Sequence, residues 1–91
     1  MSYILKVSHH RPTYRRGDLE DETVIISVDT YKTRREAKEQ IERRLKGQKV
    51  VTREYRKTGI SSCAYWTGKT WIHENSGETC EEYFHFQMYK A

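Results

Sequence analysis

Residues 23–50 read TVIISVDTYKTRREAKEQIERRLKGQKV, and this stretch decides the fold. Thr23 to Tyr31 is rich in β-branched residues, with Val24, Ile26 and Val28 alternating against Ile25 and Ser27, the strongest strand pattern in the chain. Thr33 with Glu36 three residues later is a capping box, so a helix opens at Arg34. It reads to Lys46, and Gly47 supplies the left-handed residue that stops it. Its apolar positions, Ala37, Ile41 and Leu45, recur every four residues. That stripe is narrow, so the helix should touch a sheet on one side and stay wet elsewhere. Lys49 to Lys57 then reads as a further strand.

Working outward, Tyr3 to Ser8 alternates as a strand, with Tyr3, Leu5 and Val7 on one side. His9 to Glu22 reads as an irregular segment, because Pro12 cannot donate to a ladder, Gly17 permits a turn and charges are dense. Its first half is basic and its second half acidic, so the halves can neutralise each other across a broad hairpin loop. On the other side, Thr58-Gly59 ends a strand, and Ile60–Trp66 with Thr70–Glu74 reads as a hairpin around Thr67-Gly68-Lys69. Asn75-Ser76-Gly77-Glu78 makes another turn, and a last strand runs from Thr79 to about Tyr89.

The expectation is one α+β domain spanning residues 1–91. It has an antiparallel β-sheet of about five strands (β-β-α-β-β-β) with one helix packed on one face. One short helix leaves the opposite face uncovered. If Phe84, Phe86 and Met88 point at the helix, Tyr83, His85, Gln87 and Tyr89 point away, because side chains alternate along a strand. An open edge at the first or third strand would permit strand pairing between copies, so the chain is expected as a monomer or a homodimer.

Composition bounds the function. Charged residues are 33% of the chain and hydrophobic ones 35%, which is polar for a globular domain, but the aromatic share of 12% is too high for a disordered one. No apolar run spans a bilayer, the start lacks a secretion signal, and two cysteines do not make a disulfide framework, so a cytoplasmic protein is expected. Cys63, His73, Cys80 and His85 are zinc-ligand types at spacings unlike the close pairs of a structural zinc site. No metal and no cofactor are expected. Nucleophile elbow, phosphate loop and His-Glu-x-x-His motifs are absent, so an enzyme is not expected, with a small nuclease as the residual alternative.

The net charge of +4 is unevenly spread. Residues 31–58 hold 11 Lys or Arg against 4 Glu, while the segments on either side are slightly acidic. A localised positive field steers an anionic partner. The candidate contacts are Arg11, Arg15 and Arg16 in the basic loop and Arg34, Arg35 and Lys38 on the helix, with Tyr83, His85 and Tyr89 as a second surface. The plainer reading of the helix is a solvated face laced by ion pairs four residues apart. Against it, Arg34 and Arg35 sit in the first turn, where the helix dipole disfavours cations.

A strand ending in a turn, then Thr33-Arg34-Arg35-Glu36-Ala37 opening a helix, then Gly47 and Lys49-Val50-Val51 opening a strand, resembles the layout of small phage-encoded inhibitor proteins. These include host-takeover proteins that act on RNA polymerase and several anti-CRISPR proteins. The resemblance covers roughly Val24 to Tyr55 and is one of layout and length. It implies a protein that occupies a functional surface of a host protein or ribonucleoprotein complex that handles nucleic acid. Direct, weakly sequence-specific DNA or RNA binding is the alternative, with the basic block on phosphates and tyrosines stacking on bases.

Overall fold

The computed structural model describes residues 1–15, 18–72 and 77–91, with side chains described outside 12–21 and 73–76. Its elements are β1 (Tyr3–Arg15), β2 (Asp18–Tyr31), α1 (Arg34–Leu45), β3 (Lys49–Glu54), β4 (Ser61–Ile72) and β5 (Thr79–Lys90). The strands make one antiparallel sheet in the order β2-β1-β5-β4-β3, and the helix lies on one side of it, an α+β arrangement. No helix among the described residues is long and apolar enough to cross a membrane.

The helix forms where its caps dictate. Thr33 Oγ1 accepts from the Glu36 N–H at 3.2 Å, satisfying one orphan donor of the first turn. Arg43 and Arg44 complement the dipole in the last turn, and Gly47 at φ +77° ends the helix, a conformation that costs glycine little. Because β2 and β3 are opposite edges of the sheet, α1 must carry the chain across one whole face, where it touches β1, β2, β4 and β5. Ala37, Ile41 and Leu45 bury against Leu5 and Val7 of β1, Cys63 of β4 and Phe86 and Met88 of β5. Tyr3, Tyr31, Val50, Tyr55, Tyr65 and Phe84 ring that centre.

Three expectations are corrected. First, residues 9–15 and 18–22 are not irregular. β1 and β2 continue as one long hairpin, with Arg11 opposite Glu22 and Arg15 opposite Asp18. Among the described side chains, Arg11 lies 3.8 Å from Glu22 across the two strands, an opposite-charge pair of the kind that supports a ladder. Pro12 is tolerated because β5 pairs β1 only as far as His10, so beyond it β1 has a free side. The turn expected at Gly17 lies outside the described residues. Second, Thr67-Gly68-Lys69 is not a hairpin turn but a bulge within β4: Trp66 pairs Tyr83 and Thr70 pairs Glu81, and both stretches run the same way. Third, β1 is interior, and the free edges are β2 and β3, with β3 ending at Glu54 rather than Lys57.

The bulge is organised by Glu82, which faces it from β5 and is only 8% exposed. Thr67 Oγ1 donates to its Oε2 at 3.2 Å, Lys69 Nζ lies 3.9 Å from the same oxygen, and the His9 ring bonds its Oε1. The His9 ring in turn stacks on Phe84 with centroids 4.5 Å apart. Replacing Glu82 with alanine leaves the half-buried His9 ring without its partner and takes one acceptor from Thr67, which keeps the Glu82 carbonyl at 3.3 Å. The expected loss is about 2–3 kcal/mol, read as a lower urea midpoint; an unchanged midpoint would show that the bulge needs no carboxylate.

The projecting hairpin sets the shape. The molecule measures 48 × 26 × 19 Å, and its radius of gyration is 15.0 Å. A sphere-like chain of this length would have roughly 12 Å.

Candidate binding site

Each edge strand carries one extra residue. In β2, Ser27 pairs Val7 and Ile25 pairs Ser8, leaving Ile26 unpaired; in β3, Val50 pairs Tyr65 and Thr52 pairs Ala64, leaving Val51 unpaired. Bulges bend a strand and increase its twist. Bent at both edges, the sheet curls away from the helix, and its uncovered face becomes a groove of about 750 Å³. All five strands line it: Thr23 and Ile25 of β2 form one wall and Val51 and Thr52 of β3 the other. Lys6, Ser8 and His10 of β1 and Tyr83, His85 and Gln87 of β5 form the floor with Ala64.

The floor is aromatic and cationic. His10 meets His85 edge-on at 6.1 Å between centroids, and Tyr83 meets His85 at 6.0 Å in the same manner. Thr23 Oγ1 lies 3.0 Å from His10 Nδ1, and the Tyr83 hydroxyl donates to Glu81. Lys49, near one rim, holds its ammonium 4.5 Å over the Trp66 ring. No Asp or Glu is among the described residues that line the groove. Each wall carries an exposed apolar side chain: Ile25 is 58% exposed and Val51 49%.

Burial, and next the neighbouring His10, push the His85 imidazole below its ordinary value of 6.5. The unfolded chain therefore takes up a proton there before the folded one does. No cost arises above pH 6.5, and stability falls as pH drops from that value toward the lower folded-state pKa. The His85→Gln variant is expected to show a flatter stability profile across that window, followed by urea unfolding at successive pH values. A profile unchanged in slope would remove His85 as its source.

The sequence-derived contact residues fall in several places. Tyr83 and His85 sit in the groove, as the alternation along β5 implied, while Tyr89 lines a smaller cavity at the other end of β5. Arg11 lies on the hairpin with its Nε 3.8 Å from Glu22. Arg34, Arg35 and Lys38 are on α1. Arg35 pairs with Glu39 at 3.3 Å, and Lys38 caps the Tyr55 ring at 4.5 Å. Arg34 lines the smaller cavity beside Tyr3, so some eight residues of β1, roughly 26 Å, separate the two basic sets. Arg11 and the helix cations thus lie at different parts of the sheet. Arg16 lies outside the described residues, as does the side chain of Arg15.

Sequence reasoning missed Lys6, His10, Ile25 and Val51. The first two share a face with Gln87 and Tyr83 by register and were readable once β1 was extended. The last two depended on bulges that leave no mark in the alternation. Of the cysteines, Cys63 is buried in the core and Cys80 is half-buried. No three His, Cys, Asp or Glu gather to hold a metal among the described residues. His73 lies outside the described residues.

Comparison of the chain with protein-family models, with curated proteins and with solved structures finds no match.

Proposed function

We propose that this chain is a non-catalytic binding protein that modulates a host nucleic-acid-handling complex, such as an RNA polymerase or a CRISPR effector, by covering part of its surface. The single observation that carries the reading is the uncovered concave face. Exposed Ile25 and Val51 on the two walls beside an aromatic floor fit a protein partner, since exposed apolar surface marks protein contacts. The bulges at Ile26 and Val51 interrupt both edges, which works against strand addition and leaves the face itself as the contact. With Lys6 in the groove and no carboxylate among the described residues that line it, the segment of the partner that enters is apolar with an acidic end. The class of target is taken from the resemblance of residues 24–55 to the layout of phage-encoded inhibitors.

The experiment is co-elution of the purified chain with each complex on a sizing column after nuclease treatment, alongside an activity assay of that complex. Binding of either complex that is lost in an Ile25→Lys variant supports the reading. Absence of a stoichiometric complex with both counts against the target class.

A second reading has one observation in its favour: the Tyr83, His85 and His10 rings beside Lys6 also suit stacked bases and a phosphate. Direct binding of single-stranded DNA or RNA would weaken steeply as salt rises. A labelled oligonucleotide titrated across salt concentrations separates the two, because a flat response, or no binding at low salt, removes nucleic acid as the ligand.

A further inference from the structure

The smaller cavity, about 260 Å³, lies where the start of α1, the loop after β3 and the end of β5 meet. Arg34, Arg56, Lys57 and Lys90 all line it. No carboxylate lines it among the described residues. One acid reaches this set from outside: Glu54 Oε1 accepts from Arg56 at 2.7 Å. Lys57 and Lys90 have no acidic partner among the described residues. Four cations around one small space with a single counter-charge repel one another, and the fold holds them there. Arg34 adds a second strain, because it stands in the first helical turn, where the dipole is positive.

Arg34 also has an unused donor. Its Nη2 donates to the Arg56 carbonyl at 3.5 Å, which fixes the guanidinium against the loop, but its Nε is buried without a hydrogen-bond partner. A buried donor left unmade is costly. The loop is itself held in place. Ser61 Oγ accepts from the Arg56 N–H at 2.8 Å and donates to the Arg56 carbonyl at 3.3 Å, and Gly59 turns the chain at φ +85°. Gly59 has open space where a Cβ would stand, so it is there for its backbone angle.

We propose that this cavity is an oxyanion site that takes a phosphate group. The volume is below that of a pocket for a drug-sized molecule, so it suits an ion or an end group. Two guanidinium groups and two ammonium groups converging from different elements match a tetrahedral dianion better than a planar carboxylate, which one arginine fork already satisfies. The group comes either from free phosphate or from a phosphate monoester such as the 5′ end of a nucleic acid. The site is separate from the groove, and it stands whether or not the groove holds a protein.

The test is a titration of the ¹⁵N-labelled full chain with inorganic phosphate at constant ionic strength, with chloride as the control. Parallel titrations use a 5′-phosphorylated dinucleotide and its 5′-hydroxyl counterpart. Saturable shifts confined to the start of α1, residues 56–61 and the end of β5 are expected. Arg34→Gln should weaken the affinity roughly tenfold or more. Because Arg34 is partly buried, Lys57→Gln serves as the second variant: Lys57 is exposed, so the fold is safe, and several-fold weakening is expected. The Ile25→Lys variant should titrate like the parent, which distinguishes this site from the groove. A stronger response to the phosphorylated dinucleotide than to its hydroxyl form assigns the monoester, and equal responses assign free phosphate. Failure to saturate, or Arg34→Gln and Lys57→Gln titrating like the parent, overturns the site.

Discussion

Phe86→Ala is expected to leave the chain largely unfolded at growth temperature. Phe86 is 1% exposed and lies between Val7 on one neighbouring strand and Cys63 on the other. Its ring stacks against Tyr65 at 5.9 Å, and the helix residues Ala37, Ile41 and Leu45 close over the same cluster. Truncating a buried phenylalanine costs about 3–5 kcal/mol, through lost transfer energy and the cavity left behind. A domain of 91 residues has a total stability of roughly 5–14 kcal/mol. This one belongs near the lower end, since a single 12-residue helix covers only one side of the sheet. Urea unfolding followed by circular dichroism measures the loss. A midpoint close to that of the parent would mean that the cluster around Phe86 does not hold the fold together.

Ile25→Lys is expected to reduce binding to the protein partner by about 30-fold or more while leaving the unfolding midpoint nearly unchanged. Apolar anchors in a contact are worth about 2 kcal/mol or more when lost, and a lysine adds a charge where the partner is apolar. The fold should tolerate the change. Ile25 is more than half exposed on an edge strand, and substitutions at such positions usually shift stability by no more than about 0.5 kcal/mol. Calorimetric titration against the purified complex gives the affinity and thermal unfolding gives the control. Undiminished affinity in a folded variant would take the groove wall out of the contact.

The two predictions rest on different levels of the sequence. The position of Phe86 was legible, because period-two alternation along residues 79–89 and the four-residue spacing of Ala37, Ile41 and Leu45 each point to a single buried face. The helix ends were legible too, since Thr33 and Gly47 act through local hydrogen bonds and backbone angles. The exposure of Ile25 was not. Val24 to Val28 has the composition of a buried strand, yet it forms an edge, and what makes it an edge is the pairing of β1 with β5 some eighty residues apart. Strand order is a non-local property, and propensity reports only neighbours. The same limit hid the continuation of β1 through Pro12, which depends on where β5 stops. Charge was legible in amount and not in place. Of the Lys and Arg of residues 31–58, Arg35 and Arg53 pair with glutamates of α1, Lys38 and Lys49 sit over aromatic rings, and Arg34, Arg56 and Lys57 line the smaller cavity.

The pairing of β1 with β5 also orders the events of synthesis. Leu5 and Val7 leave the ribosome about eighty residues before their cross-strand partners Met88 and Phe86, and one long hairpin and the helix can form in the interval. Until then the middle of the sheet is a seam with one side missing, and β1 faces solvent there without β5. Nascent chains stalled before residue 79 would therefore be the ones that chaperones hold, and the sheet would close in one step as β5 slides into the gap.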